Sequence, residues 1–123
     1  MKAKKPIIWM GSSRGDLTKM PEAVRKNFGG ALHGVQGGRM PEKAKALKGK
    51  IKGAIQLSDD DDGETYRAVF TVELQGVVYV LHCFQKKSKS GISTPQSDID
   101  LIERRLKAAR ALHKAMAGTS DER

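Results

Sequence analysis

Apolar residues recur along this chain with two different periods, and the switches between them mark its elements. From Tyr66 to Leu74 the alternation is strict, with Tyr66, Ala68, Phe70, Val72 and Leu74 on one side. A period of two predicts a half-buried β-strand. Gln75-Gly76 turns the chain, and Val77 to Gln85 returns as a nearly continuous apolar run, as a strand covered on both faces requires. Gly53 to Ser58, "GAIQLS", alternates as well and predicts a strand. Asp59 to Asp62 followed by Gly63 then gives an acidic hairpin turn, so these strands form a meander.

Elsewhere the period lengthens. Met20, Val24, Phe28, Leu32 and Val35 fall at helical spacing, with Pro21 suited to a first turn and Gly37-Gly38 to a stop. Gly29-Gly30 is a weak point in that helix, since glycine costs about 1 kcal/mol against alanine, and a break there would leave a helical hairpin. Ile99, Ile102, Leu106 and Ala109 repeat the helical stripe near the C-terminus. Thr94-Pro95 reads as an N-cap with proline at the first position, and the helix is expected to reach about Ala117, leaving "GTSDER" as a frayed tail. Asp98 and Asp100 precede Arg104, Arg105, Lys107, Arg110 and Lys114, the order a helix dipole favours. Before the first helix, "PIIWM" (Pro6 to Met10) predicts a short strand, and "GSSRGD" a turn with possible caps at Ser12 and Ser13. Arg39 to Lys52 fits a short helix or a loop equally well. The order of strand, helical segment, meander and C-terminal helix predicts one α+β domain spanning 1–123, with its ordered core over about 6–117 and a tail at 118–123.

Composition narrows the function classes. With 38% hydrophobic residues in 123, the chain can fill a modest core, and its longest apolar run, Val77 to Phe84, is strand-sized rather than membrane-spanning. "MKAKKPIIW" lacks the apolar region of a secretory signal, and Cys83 has no partner cysteine, so a cytoplasmic protein without membrane attachment is expected. Charge is the strongest bulk signal: 23 Lys and Arg against 14 Asp and Glu give +9, which suits a polyanionic partner. Aromatics at 5% argue against a single-strand binder built on stacked bases.

The meander concentrates that charge. Arg67 lies near the start of one strand and Lys86-Lys87 at the end of the next, and antiparallel pairing sets those ends side by side. A two-residue loop at Gln75-Gly76 would set Arg67 opposite Phe84, with Lys86 on the same face. A third loop residue with a bulge would give that face to Lys87 and Cys83 instead. Lys50 and Lys52 precede the first meander strand and could lie near the same end. Such a cluster can hold a phosphate and stabilise the charge of a phosphoryl-transfer transition state. RNA carries its own nucleophile, the 2′-hydroxyl, so its cleavage needs positive charge, a base and an acid, and can proceed without metal or cofactor. His82 is a candidate for proton transfer, although a histidine inside an apolar strand is more often simply packed and hydrogen-bonded. The plain reading of the lysine run is a solvated strand exit that discourages edge pairing. "DDDDGE" lacks the spacing of a calcium loop, so no metal site is expected. Cys83 reads as core, and Tyr66 and Tyr79 as packing residues.

Three motifs add a resemblance: "WMGSSRGDLTKMPEAVRKNFGGAL", "LKGKIKGAIQLSDDDDGETYRAVFTVEL" and "VYVLHCFQKKSKSGISTPQSDIDLIERRL". A Tyr-Arg strand start, a Phe-x-Lys-Lys-Ser strand end and a Thr-Pro helix opening come in that order. From Pro6 to Arg110 the chain resembles the phage-derived HigB-like branch of the RelE/ParE superfamily of type II toxins. The resemblance implies a RelE-like microbial RNase-type fold, a curved antiparallel sheet of about four strands packed with N-terminal helices and a C-terminal helix. It implies a ribosome-dependent mRNA endonuclease acting by 2′-hydroxyl attack, neutralised by a HigA-like helix-turn-helix antitoxin. It assigns Arg67 to the scissile phosphate, Lys86 or Lys87 to the basic strand end, and Lys50 and Lys52, with Lys48 and Lys89 beside the same segments, to RNA binding. Several RelE-type nucleases carry a tyrosine or histidine near the C-terminal end for proton transfer. "SKSGISTPQSD" offers neither and the final segment only His113, which leaves the general acid and base unassigned. Two alternatives stand beside this reading: a ParE-like toxin that inhibits DNA gyrase by binding, and a degenerate toxin that only binds its antitoxin.

Overall fold

The computed structural model describes residues 4–86 and 94–121, with side chains as far as Ala117. Among the described residues five strands form one sheet: β1 (Ile7–Trp9), β2 (Lys45–Ala46), β3 (Ile55–Asp61), β4 (Glu64–Thr71) and β5 (Val78–Lys86), in the order β1-β5-β4-β3-β2. Two helices, α1 (Ser13–Thr18) and α2 (Glu22–Gln36), follow β1, and α3 (Gln96–Asp121) follows β5. The class is α+β, as the hydrophobic pattern requires, but the sheet has five strands rather than four and is not wholly antiparallel. β1 pairs parallel to β5, with Ile7 opposite Val78, and β2 adds a two-residue edge in the lysine-rich segment.

Each face of the sheet buries its own cluster. On one, Val24, Phe28, Leu32 and Val35 of α2 and Leu17 of α1 pack on Leu57, Ala68, Phe70, Val78 and Val80. On the other, Ile102, Leu106 and Ala109 of α3 pack on Val69, Tyr79, Leu81 and Phe84, with Ile51 from a single 3-10 turn at Gly49–Ile51. Because that stripe of four α2 residues is almost wholly buried, at about 1.5–3 kcal/mol for each large side chain, the helix runs unbroken through Gly29-Gly30. "GSSRGD" is not a plain turn: α1 starts at Ser13, and the Ser12 hydroxyl donates to Asp16 Oδ2 at 2.7 Å.

The β3–β4 hairpin is tighter than the run of acids suggests. Asp59 to Asp61 belong to β3, and only Asp62-Gly63 forms the loop, both with positive φ (52° and 80°), as a primed two-residue turn demands. At the next hairpin, Leu74–Val77 closes a β-turn through a Val77 N–H to Leu74 carbonyl bond at 3.3 Å, and Gly76 takes the positive φ of 83°. Near this turn Thr71 faces Tyr79 and Phe70 faces Val80, but Val69 faces His82 and Arg67 faces Phe84. Leu81 is therefore an extra residue, a β-bulge. Its carbonyl, turned out of the ladder, accepts from Arg105 Nη1 of α3 at 2.9 Å.

Candidate active site

The bulge decides which side chains meet. Downstream of it the pairing is the one a two-residue turn would have given, so Phe84 faces Arg67 and Lys86 faces Thr65. Strand side chains alternate, which sets Lys86 on the face of Arg67 and diagonal to it. The bulge also turns His82 to that face, where it stacks on Phe84 with ring centroids 4.5 Å apart and planes 16° from parallel. Gln56, Arg67 and His82 are buried polar side chains among the described residues.

The start of α3 closes over this corner. Arg67, 5% exposed, donates from Nη1 to Thr94 Oγ1 at 2.9 Å, and the Thr94 hydroxyl donates on to Gln56 Oε1 at 3.3 Å. Thr94 thus serves the sheet rather than capping the helix. The first turn bonds back to the Pro95 carbonyl, which accepts from the amides of Asp98 and Ile99 at 3.1 Å each. His82 Nε2 lies 2.8 Å from Asp98 Oδ1, while its Nδ1 is buried with no hydrogen-bond partner among the described residues. Burial pulls Arg67 below the ordinary arginine range, and the nearby Asp98 carboxylate pushes back. A cleft of about 500 Å³ opens beside β5 where β1 no longer covers it, lined by Tyr66, His82, Phe84, Ser97 and Asp98 among others.

Other expected site residues lie elsewhere. Lys48, Lys50 and Lys52 are exposed around the 3-10 turn, at the far end of the ladder from Arg67. There the Gly53 carbonyl accepts from Thr71 Oγ1 at 2.7 Å and the Lys52 carbonyl from Arg110 Nη2 at 3.1 Å. Thr71 is four positions beyond Arg67 on β4, which is about 13 Å of strand. Lys87 and Lys89 lie outside the described residues. His113 does face the sheet, but its Nδ1 pairs with the hydroxyl of the fully buried Tyr79 at 2.9 Å, well along α3 from the corner. Cys83 is core, its thiol pushed up to about 12 by burial and by Asp16. Among the described residues, no cluster of His, Cys, Asp and Glu has the arrangement of a metal site.

Three members of the corner went unread in the sequence. Gln56 looked like one position of an alternating strand, Thr94 like a cap and Asp98 like a helix-dipole acid. The one signal that could have found Thr94 is its place just ahead of a helix whose stripe faces the sheet. Nothing local marks Gln56.

Chemically, the corner offers a buried guanidinium with a lysine diagonal to it, and beside them an acid–imidazole pair that lines a nucleotide-sized cleft. A family model described as phage-derived protein Gp49-like (DUF891) matches residues 15–107, which includes β2 to β5 and most of the α3 contact. No curated protein matches the sequence. Among solved structures, a mutant of the Escherichia coli toxin RelE in the free state is similar, with a TM-score of 0.56 at 12% identity. The match covers 86% of this chain and 98% of that one. The RelBE2 toxin–antitoxin complex of Mycobacterium tuberculosis matches over 68% of this chain and 99% of its own, at 18% identity and a TM-score of 0.48. The chain shares the RelE fold and belongs to the Gp49-like family of phage-derived proteins.

Proposed function

We propose that this protein is the toxin of a type II toxin–antitoxin pair and cleaves mRNA on the ribosome. The observation that carries the reading is the shared face of Arg67 and Lys86 on adjacent strands, with His82 and Asp98 beside them. A guanidinium presents a fixed fork of donors to a phosphodiester, and a lysine diagonal to it adds a second positive charge where charge builds up in the transition state. The 2′-oxygen gives its proton to a base and bonds to phosphorus. The bond from phosphorus to the 5′-oxygen breaks, and that oxygen takes a proton. The products are a 2′,3′-cyclic phosphate and a 5′-hydroxyl, with no water consumed and no electrons transferred. His82 is the imidazole nearest this chemistry and is assigned to proton transfer. Lys48, Lys50 and Lys52 grip RNA away from the cut, and Lys87 and Lys89 extend the strand-end charge. A HigA-like antitoxin, the ribosome and mRNA are the partners, in the cytoplasm.

Primer extension on mRNA from cells briefly expressing the protein tests this, beside Arg67→Ala. New 5′ ends inside translated regions, lost in the variant, are expected. Growth arrest with intact mRNA would refute cleavage and turn the corner into a docking surface.

A further inference from the structure

The corner is closed in a way that a site awaiting substrate should not be. Arg67 is covered by the start of α3, and both nitrogens of His82 are taken out of use, one by Asp98 and one by burial. One residue accounts for much of this. We propose that the Asp98 carboxylate is an internal competitor for the substrate: in the free protein it holds the anion position between Arg67 and His82, and the scissile phosphodiester displaces it and frees His82 Nε2. The proposal rests on the reading of this corner as an RNA site.

Asp98 is the member of the pair built to leave. Its side chain is 23% exposed while that of His82 is 8% exposed, so the acid sits on the rim and the imidazole inside. His82 keeps its stacking on Phe84 when the acid swings away, so the freed nitrogen stays in register with the site. The charges match too. A buried guanidinium needs a compensating anion, and carboxylate and phosphodiester each carry one negative charge and accept the same donors. Exchange therefore preserves the charge balance of the corner. Thr94 and Gln56 hold Arg67 by a separate chain of bonds, so the guanidinium remains aimed after Asp98 departs. Access exists, because Asp98 and His82 both line the cleft beside β5. Anchoring the helix does not require the acid: Ile102, Leu106 and Ala109 are buried against the sheet, and Arg105 and Arg110 bond to backbone carbonyls of Leu81 and Lys52.

The test is binding of a short 2′-O-methyl oligoribonucleotide, which lacks the attacking hydroxyl, to the full chain and its variants. Asp98→Asn should bind about tenfold tighter, because a competing charged acceptor has been made neutral. Asp100→Asn, which removes the same charge from an exposed position on the same helix, should change binding less than about twofold. In the unmodified protein, the ring-nitrogen signal of His82 should move when the oligonucleotide binds, a readout that holds even if the Asp98 variant folds poorly. Arg67-dependent binding with no gain in Asp98→Asn and an unmoved His82 signal would overturn the proposal and leave the RNA reading standing. Binding that is absent, or indifferent to Arg67→Ala, would overturn both.

Discussion

Single side chains at the corner carry distinct and separable duties. Thr94 uses one hydroxyl to accept from Arg67 and donate to Gln56. Thr94→Val keeps the shape and removes both bonds, leaving buried polar groups short of a partner. It should cost about 1–3 kcal/mol in urea unfolding and slow the proposed RNA cleavage by loosening the guanidinium; Thr94→Ser should recover most of both. A Thr94→Val protein as active as the parent in that proposed reaction would show that Arg67 needs no such support. Cys83 makes the opposite case. Its thiol is 1% exposed and pushed up to about 12, so it should resist alkylation in the folded protein and react quickly in denaturant.

Among elements, the bulge in β5 has the largest consequence, because it sets which side of the sheet every later residue faces. It is stabilised from outside the strand. Arg105 donates to the Leu81 carbonyl and to Ser12 Oγ, and its guanidinium lies over Gly11, whose φ is +53°. A Cβ on Gly11 would come within 2.7 Å of that guanidinium. Arg105→Ala should therefore destabilise the protein by about 2 kcal/mol in urea unfolding, and Gly11→Ala by an amount of the same order through strain and displacement of Arg105. An Arg105→Ala protein as stable as the parent would mean the bulge needs no outside partner. The bulge also explains why the sequence could be read only in part. The longer strands, the α2 stripe and the α3 stripe followed from periodicity, and so did the placing of Lys86 beside Arg67. Whether Lys86 shared that face turned on one extra residue at Leu81, inside a run where His82 alone is polar and alternation leaves no trace. β2 was hidden for a similar reason, since its two residues are too few to show a period. Lys48, Lys50 and Lys52 were drawn toward Arg67 by chain order, whereas Gly53 is tied to the opposite end of β4.

At the scale of the molecule, the +9 charge sets how binding responds to salt. If Lys48, Lys50 and Lys52 each neutralise one phosphate, their combined change to alanine should flatten the slope of log affinity against log salt by about 2. A fluorescence titration across salt concentrations measures it, and an unchanged slope would take these lysines out of the RNA interface. Stability should also decline in alkali. In the folded state Cys83 keeps its proton up to about 12, against 9.0 for the ordinary thiol, and burial raises Tyr79 as well. The unfolded chain then binds fewer protons than the folded one as pH climbs through this window. The stability is whole below the unfolded values and erodes above them, by at most about 1.4 kcal/mol per pH unit for each group. Cys83→Ala should flatten the decline, which urea unfolding at several alkaline pH values would show.

The parallel pairing of β1 with β5 bears on how the molecule is made. Ile7 emerges early in synthesis, but its partner Val78 and the α3 residues that seal the corner emerge much later. The residues of α2 and of the β3–β4 hairpin are made early, yet the sheet edge and the Arg67 corner must wait for the C-terminal third. Long-range closure of this kind is slow, because the loop entropy is lost before the contacts form. The protein that we propose cuts mRNA on the ribosome is therefore unassembled while it is still attached to the one producing it.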